Sequence, residues 1–325
     1  MPSALPIASH RPSGGGHEPV LVEEVLAIAD PGPGATVVDC TFGAGGHAAA
    51  IAPYLGPEGL YIAIDQDPEA IAWFEDLTEG VECATRFVRG NFAAALADLA
   101  DEGVRADIVL MDLGLSSMQI DQPHRGFSYS RQAPLDMRMD PTVERSAADV
   151  VAGGTEQELT RIIRTYGEER YARQIARAIV RRRVAGPITT TGDLVEVVRQ
   201  AVPTPALFAG GHPAKRVFQA LRIEVNRELE VLEEGLEHAF SLLAPGGRLA
   251  VISFHSLEDR MVKSFMRDRA RGCICPPDMP VCGCGRVPQA DLVGGKARMP
   301  RPNEVERNPR ARPSRLRGLR RREET

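Results

Sequence analysis

Cysteine, tryptophan and long apolar runs are all scarce in this chain. Six cysteines and one tryptophan occur in 325 residues, a usage far from the disulfide-dense composition of small secreted domains. No apolar stretch approaches the roughly 20 residues of a bilayer-spanning helix, so no membrane association is expected. Residues 1 to 16 are rich in Pro, Ser and Gly and hold no apolar h-region, which reads as a disordered tail rather than a signal peptide, and a cytoplasmic protein is expected. An overall basic excess is missing too: the net charge is −5. It is unevenly spread, because 11 Lys or Arg against 4 Glu from Lys296 to Thr325 give +7 there and leave −12 for residues 1 to 295. The arginines from Arg307 to Arg322 read as a basic C-terminal tail, either solvated or in contact with nucleic acid.

What the chain does have is an acid carried by a short apolar run into a glycine-dense turn, Thr36 to His47 (TVVDCTFGAGGH). Val37 and Val38 suit a buried strand, and Gly43, Gly45 and Gly46 permit positive φ and close approach of a ligand to the backbone. Strand, turn and helix of this kind open doubly wound α/β folds. Gly43, Gly45 and Ala48 also satisfy the dinucleotide pattern, with Asp65 near the distance of a ribose-binding acid, so a nicotinamide oxidoreductase is one reading. Asp39 at the mouth of the turn favours a second. A carboxylate there repels a pyrophosphate, whereas it suits the sulfonium and ammonium of S-adenosylmethionine; a third possibility is that Asp39 only caps the turn.

Further strands follow at Leu60 to Ile64, Thr85 to Val88 and Asp107 to Met111, so that Asp39, Asp65 and Asp112 stand at three strand ends. Asn91 reads as a helix cap, and Phe92 either as core or as a flank for an adenine ring. The βα rhythm then stops. Residues 113 to 145 form a long Gly-, Ser- and Pro-punctuated loop with Phe127, Tyr129, Asp136 and Arg138 in it, and a loop of that length is commonly functional. Helical periodicity runs from Ser146 to about Gly211, with Arg170, Arg173, Arg177 and Arg181 along one face of a helix, either solvated or meeting phosphate. One long helix is expected from His212 to Leu243, with Lys215, Gln219, Arg222 and Asn226 in a polar row that faces a cleft or water. Strand rhythm returns at Arg248 to Phe254 after a turn at Pro245 to Gly247. Residues 113 to 212 therefore read as a helical insertion in one α/β core, with 17 to 112 and 213 to 325 as the two parts of that core.

In SFHSLEDR, Ser256 and Asp259 fit a capping box, which leaves His255 as the candidate for substrate contact. Cys273, Cys275, Cys282 and Cys284 form C-x-C and C-x-C pairs that read equally as a zinc site or as free thiols, while Cys40 and Cys83 read as core residues.

Taken together these blocks resemble the RsmH (MraW) family of S-adenosylmethionine-dependent methyltransferases that modify N4 of a cytosine in small-subunit rRNA. The carriers span nearly everything from His17 to Leu316: HEPVLVEEVL, DCTFGAGGH, IDQDPEAI, DLGLSSMQID, RGFSYSRQAPLDMRM, YGEERYARQIARAIV, HPAKRVFQALRIEVNREL, GGRLAVISFHSLEDR and NPRARPSRLR. The resemblance implies a class I (Rossmann-like) methyltransferase core with an inserted all-helical domain, and 16S rRNA or the small ribosomal subunit as partner. It implies cofactor contacts at Gly45, Gly46, His47, Asp65, Phe92, Asp112 and Gln119. DLGLSS departs from the acid or Asn before Pro-Pro-aromatic of many amino-methyltransferases. Because the N4 lone pair is delocalised into the ring, an acceptor for its N–H protons is expected, with Asp112 or Asp136 in that role and Ser116 or Ser117 assisting. A non-catalytic RNA-binding assembly factor is the remaining alternative.

Overall fold

A computed structural model describes residues 18–205, 213–276, 279 and 281–323; the expected N-terminal tail and the His212 start of the expected long helix lie outside them. The chain forms two compact units, residues 1–114 with 231–325, and residues 115–230.

The first unit is built on a seven-stranded sheet of β1 (Thr36–Asp39), β2 (Leu60–Asp65), β3 (Ala84–Arg89), β4 (Ala106–Asp112), β5 (Leu243–Ser253), β6 (Ala290–Arg298) and β7 (Arg315–Arg321), in the order β3-β2-β1-β4-β5-β7-β6. The first five strands run parallel, and β7 alone is reversed, antiparallel to both β5 and β6. The apolar runs of β1, β2, β4 and β5 are buried on both faces, as parallel sheets require, while the edge strand β3 is only partly covered. On one face Val38, Ile62, Val109, Val251 and Leu319 meet helices α4 (Phe92–Asp101), α11 (Glu228–Leu242) and α12 (Ser256–Ala270). On the other, Ile28 of α1 (Val22–Ala29) lies so close to Gly318 that a Cβ there would sit 2.6 Å from its Cγ2. Two short connections complete the frame near the turn, α2 (Gly46–Ile51) and α3 (Ala70–Thr78).

The second half of the basic tail of the sequence reading, Arg315–Arg321, is therefore a strand. Leu316 and Leu319 are fully buried, Arg317 donates to Asp259 of α12 at 2.8 Å, and Arg321 donates to the Leu243 carbonyl at 2.6 Å. The strand expected from Arg248 also begins earlier, at Leu243, and takes Pro245 to Gly247 into a shifted register beside β4.

The second unit holds α5 (Ser117–Asp121), α6 (Ala147–Gly153), α7 (Glu156–Gly167), α8 (Ala172–Val184), α9 (Thr191–Ala201) and α10 (Pro213–Asn226). Its core joins Leu159, Ile163, Ile175, Leu194, Val217 and Leu221 with loop residues Leu135 and Met137. Ser146, Thr155 and Thr190 start three of these helices with reciprocal capping boxes, each satisfying otherwise orphaned N–H groups. Two expectations change here. The helix expected across 212 to 243 breaks at Arg227, whose φ is +50°, and α10 packs into the helical core, so the insertion runs to 230 rather than 212. Phe127 of the long, candidate functional loop is buried in that core, whereas Tyr129 stays exposed against Phe218.

Candidate active site

The chain turns back at β1: β2 and β3 lie to one side of it and β4 and β5 to the other, and ligands of open α/β folds bind beyond the strand ends at such a switch point. The turn after β1 stays stitched to both neighbours. Cys40 N–H donates to the Leu110 carbonyl at 2.9 Å and Phe42 N–H to the Ile64 carbonyl at 3.0 Å. Gly45 has φ +74°, and a Cβ on it would lie 2.8 Å from Phe42 Cζ; one on Gly46 would lie 2.9 Å from Pro19 Cβ. Only glycine fits this turn.

The three strand-end acids divide their work. Asp39 is buried, accepting from Tyr61 Oη at 2.8 Å and from Thr41 N–H at 3.1 Å; burial raises its pKa and these bonds oppose the rise. It is thus held inside the sheet end, the capping role that the sequence left open. Asp65 accepts from Gly43 N–H at 2.7 Å and from Asp67 N–H at 2.8 Å, tying the turn to the end of β2, and burial pushes its pKa up to about 6. Asp112 is half-buried, and its own N–H donates to Thr41 Oγ1 at 2.6 Å.

His47 opens α2 and points at Asp112, with Nε2 3.5 Å from Oδ2. Burial disfavours the charged ring, but the Asp112 carboxylate, with Asp39 behind it, outweighs burial and raises the His47 pKa. At 3.5 Å this is a charge contact rather than a formed hydrogen bond, and both ring nitrogens and Asp112 Oδ1 are buried atoms without hydrogen-bond partners. Unsatisfied buried groups at one strand end mark a site rather than a core.

The other expected residues fall elsewhere. Asn91 caps α4 as expected, accepting from Ala93 N–H at 2.8 Å, and Phe92 lies over Gly235 of α11, where a Cβ would come within 2.3 Å of the ring. In the helical unit Ser116 is the N-cap of α5, and its side chain and that of Gln119 hold a reciprocal capping box. The Ser116 hydroxyl oxygen thus accepts at a helix start. Asp136 is engaged on both oxygens by the Arg138 guanidinium, at 2.8 and 2.7 Å, and by Arg138 N–H at 3.0 Å. Burial would raise its pKa, but these bonds outweigh burial and hold it below the usual range, which makes Asp136 a poor proton acceptor. His255, expected to face substrate, is the N-cap of α12: its Nδ1 accepts from Glu258 N–H at 3.4 Å, so the capping box sits one residue before the expected Ser256 and Asp259.

One contributor was missed by the sequence reading, and one named there has a different role. Thr41 links the ends of β1 and β4. Asn226 clamps the loop around Met137, donating to the Met137 carbonyl at 2.8 Å and accepting from Met139 N–H at 2.8 Å. Most of the polar row on α10 therefore turns inward, with Gln219 donating to the Tyr166 carbonyl and Arg222 pairing with Glu228, while Lys215 faces water.

A sheet of this order with β7 alone reversed, and a glycine turn beside strand-end acids, defines a class I S-adenosylmethionine-dependent methyltransferase. The chain belongs to the MraW methylase family, whose profile matches residues 15–322. It is 48% identical over 303 residues to ribosomal RNA small subunit methyltransferase H of Heliobacterium modesticaldum, covering 93% of this chain and 97% of that protein. It is 50% identical over 305 residues to the protein of the same name from Symbiobacterium thermophilum, covering 93% and 96%. The nicotinamide and non-catalytic alternatives fall with this membership. S-adenosylmethionine is the cofactor, and the residues suit it: two glycines that no side chain can replace, Asp65 at the end of β2, and unsatisfied polar atoms of His47 and Asp112.

Proposed function

We propose that this chain, acting in the cytoplasm, transfers a methyl group from S-adenosylmethionine to the exocyclic N4 of one cytosine in the decoding region of 16S rRNA, with the small ribosomal subunit as its partner. The reading is carried by near-full-length similarity to relatives named ribosomal RNA small subunit methyltransferase H.

S-adenosylmethionine supplies a methyl group on a positively charged sulfur. The chain's own residues position it and prepare the acceptor. Asp65 accepts from the ribose hydroxyls; Gly45, Gly46 and His47 face the amino-acid half. Asp112 is the acceptor for the amine protons, because one of its oxygens has no hydrogen-bond partner, whereas both oxygens of Asp39 and of Asp65 accept bonds within the fold. Drawing on those protons makes the amine nitrogen more nucleophilic. Asp136, held by Arg138, is a positioning residue of the 113 to 145 loop rather than a base. Phe92 and Gln119 keep the cofactor-facing roles that the family resemblance implies. The arginines of α8 and the exposed Arg312 supply phosphate contacts.

The test is transfer of labelled methyl to unmodified small subunits and to naked small-subunit rRNA, followed by nuclease digestion and nucleoside analysis. Label at one site as N4-methylcytosine is expected. Label in another nucleoside, or none with cofactor bound, would overturn the substrate assignment and leave the methyltransferase core standing.

A further inference from the structure

Among its described residues, the segment between α12 and β6 buries no side chain. Arg286 donates to the Asp268 carbonyl at 2.6 Å and pairs with the Asp268 carboxylate at 2.8 Å, and Gln289 N–H donates to the Arg269 carbonyl at 2.9 Å, so the chain leaves and returns at the end of α12. Beyond that closure, Ile274, Val281 and Val287 are exposed, at 47%, 74% and 72%. Burial therefore contributes little to holding these residues.

Four sulfurs nevertheless converge there. The Sγ atoms of Cys273, Cys275, Cys282 and Cys284 lie within 4.8 Å of one another, with Cys282 to Cys284 at 3.5 Å and Cys284 to Cys273 at 3.8 Å. A disulfide needs sulfurs at about 2.05 Å. A tetrahedral ion with metal–sulfur bonds of about 2.3 Å sets its sulfurs about 3.8 Å apart, which the two close separations match. Spacing explains how each pair reaches the centre: in extended backbone residues i and i+2 project to one side, so each C-x-C offers two sulfurs to the same point. Ile274 N–H also points at Cys284 Sγ at 3.5 Å, the kind of donor that supports a bound thiolate.

We propose that Cys273, Cys275, Cys282 and Cys284 form a structural site for one zinc ion, each thiol giving its proton to solvent on binding. All four positions are protein sulfurs, so the site is closed and takes no part in methyl transfer. Its work is to fix the 273 to 284 segment, which burial does not.

The test uses the full chain, purified reduced and without chelators, and reconstituted with zinc. About one zinc per chain is expected, and replacement by cobalt should give the thiolate charge-transfer and tetrahedral d–d bands of a four-sulfur site. Cys282→Ser with Cys284→Ser should lose the metal while S-adenosylmethionine affinity is retained, and Cys83→Ser should keep it. Zinc removal should speed tryptic cleavage at Arg271 and Arg286. If the double variant fails to fold, the cobalt spectrum of the unaltered protein decides alone. Metal at background after reconstitution, metal retained in a folded double variant, or a mass two or four hydrogens lower without metal would overturn the proposal.

Discussion

Nε2 of His47 lies 3.5 Å from Oδ2 of Asp112, across the mouth of the parallel sheet, and that carboxylate raises the histidine pKa against the effect of burial. The folded state therefore binds the imidazole proton more tightly than the unfolded chain does. The resulting stabilisation is fully present below the ordinary value of 6.5 and is lost as pH rises through the higher folded value. His47→Gln should lower the Tm most in acid solution, with the gap to the unaltered protein closing as pH rises. Melting curves across that range check it; a gap independent of pH would remove the charge pair from the account.

Asp65 is linked to pH in the same sense, through burial rather than a charge partner. Burial raises its pKa to about 6, so ionising it costs the ligand-free fold stability as pH climbs from 3.8 to that value. Ribose hydroxyls that donate to it favour the ionised form. Affinity for S-adenosylhomocysteine should then fall as pH drops through about 6, and Asp65→Asn should weaken binding by roughly 10- to 100-fold and flatten the dependence. Calorimetric titration from acid to neutral pH decides; a variant that binds as tightly as the parent removes Asp65 from the site.

Gly45 and Gly34 share positive φ, +74° and +78°, yet only Gly45 is crowded, by Phe42 Cζ at 2.8 Å. Gly34→Ala should cost about 1 kcal/mol of stability and leave cofactor binding alone. Gly45→Ala adds the clash, and should cost about 1–3 kcal/mol and sharply weaken cofactor binding. Equal effects of the two changes would mean that backbone strain, not the shape of the turn, sets the preference.

The parts legible in the sequence were those written in local pattern. Apolar runs ending in Asp39, Asp65 and Asp112 place three parallel strands, and the glycine cluster after the first places the turn between them. Partnerships across the sheet were not legible, because no local signal says that Tyr61 meets Asp39 or that Thr41 meets Asp112 before the register is known. Charge misled at the other end. Arg315, Arg317, Arg320 and Arg321 look like a solvated tail, but they alternate around Leu316, Gly318 and Leu319, and their guanidinium groups reach Asp259 and backbone carbonyls. The break at Arg227 was invisible as well: apolar spacing continues through it, and only a left-handed φ at a residue with a side chain divides the helix.

Asn226 sits one residue before that break and satisfies both sides of the loop that carries Asp136. Met137, between Asp136 and Arg138, is buried with φ +64°, a strained conformation held by its neighbours. Asn226→Ala removes bonds to the Met137 and Arg222 carbonyls and from Met139 N–H, and should cost about 2–4 kcal/mol. Methylation should fall while cofactor affinity is unchanged. Chemical denaturation and calorimetry on the same variant separate the two effects, and loss of cofactor binding alongside would place Asn226 in the cofactor site instead.

Because β7 lies between β5 and β6, removing residues 307 to 325 does not trim an RNA-binding tail. It leaves Asp259 without Arg315 and Arg317 and exposes two strand edges, so the truncated chain should fail to fold, as circular dichroism and solubility would show. Phosphate contact has to be tested at arginines outside the sheet. Arg312 and Arg181 are both exposed, one in the turn before β7 and one on α8. Changing each to Ala should leave the unfolding free energy within about 0.5 kcal/mol, because surface changes of this kind are nearly neutral. If each neutralises one phosphate, each should reduce the slope of log affinity against log salt by about 0.7 on single-stranded RNA. A slope that stays the same in the double variant would move the phosphate contacts to other arginines, with the sheet still intact to search them.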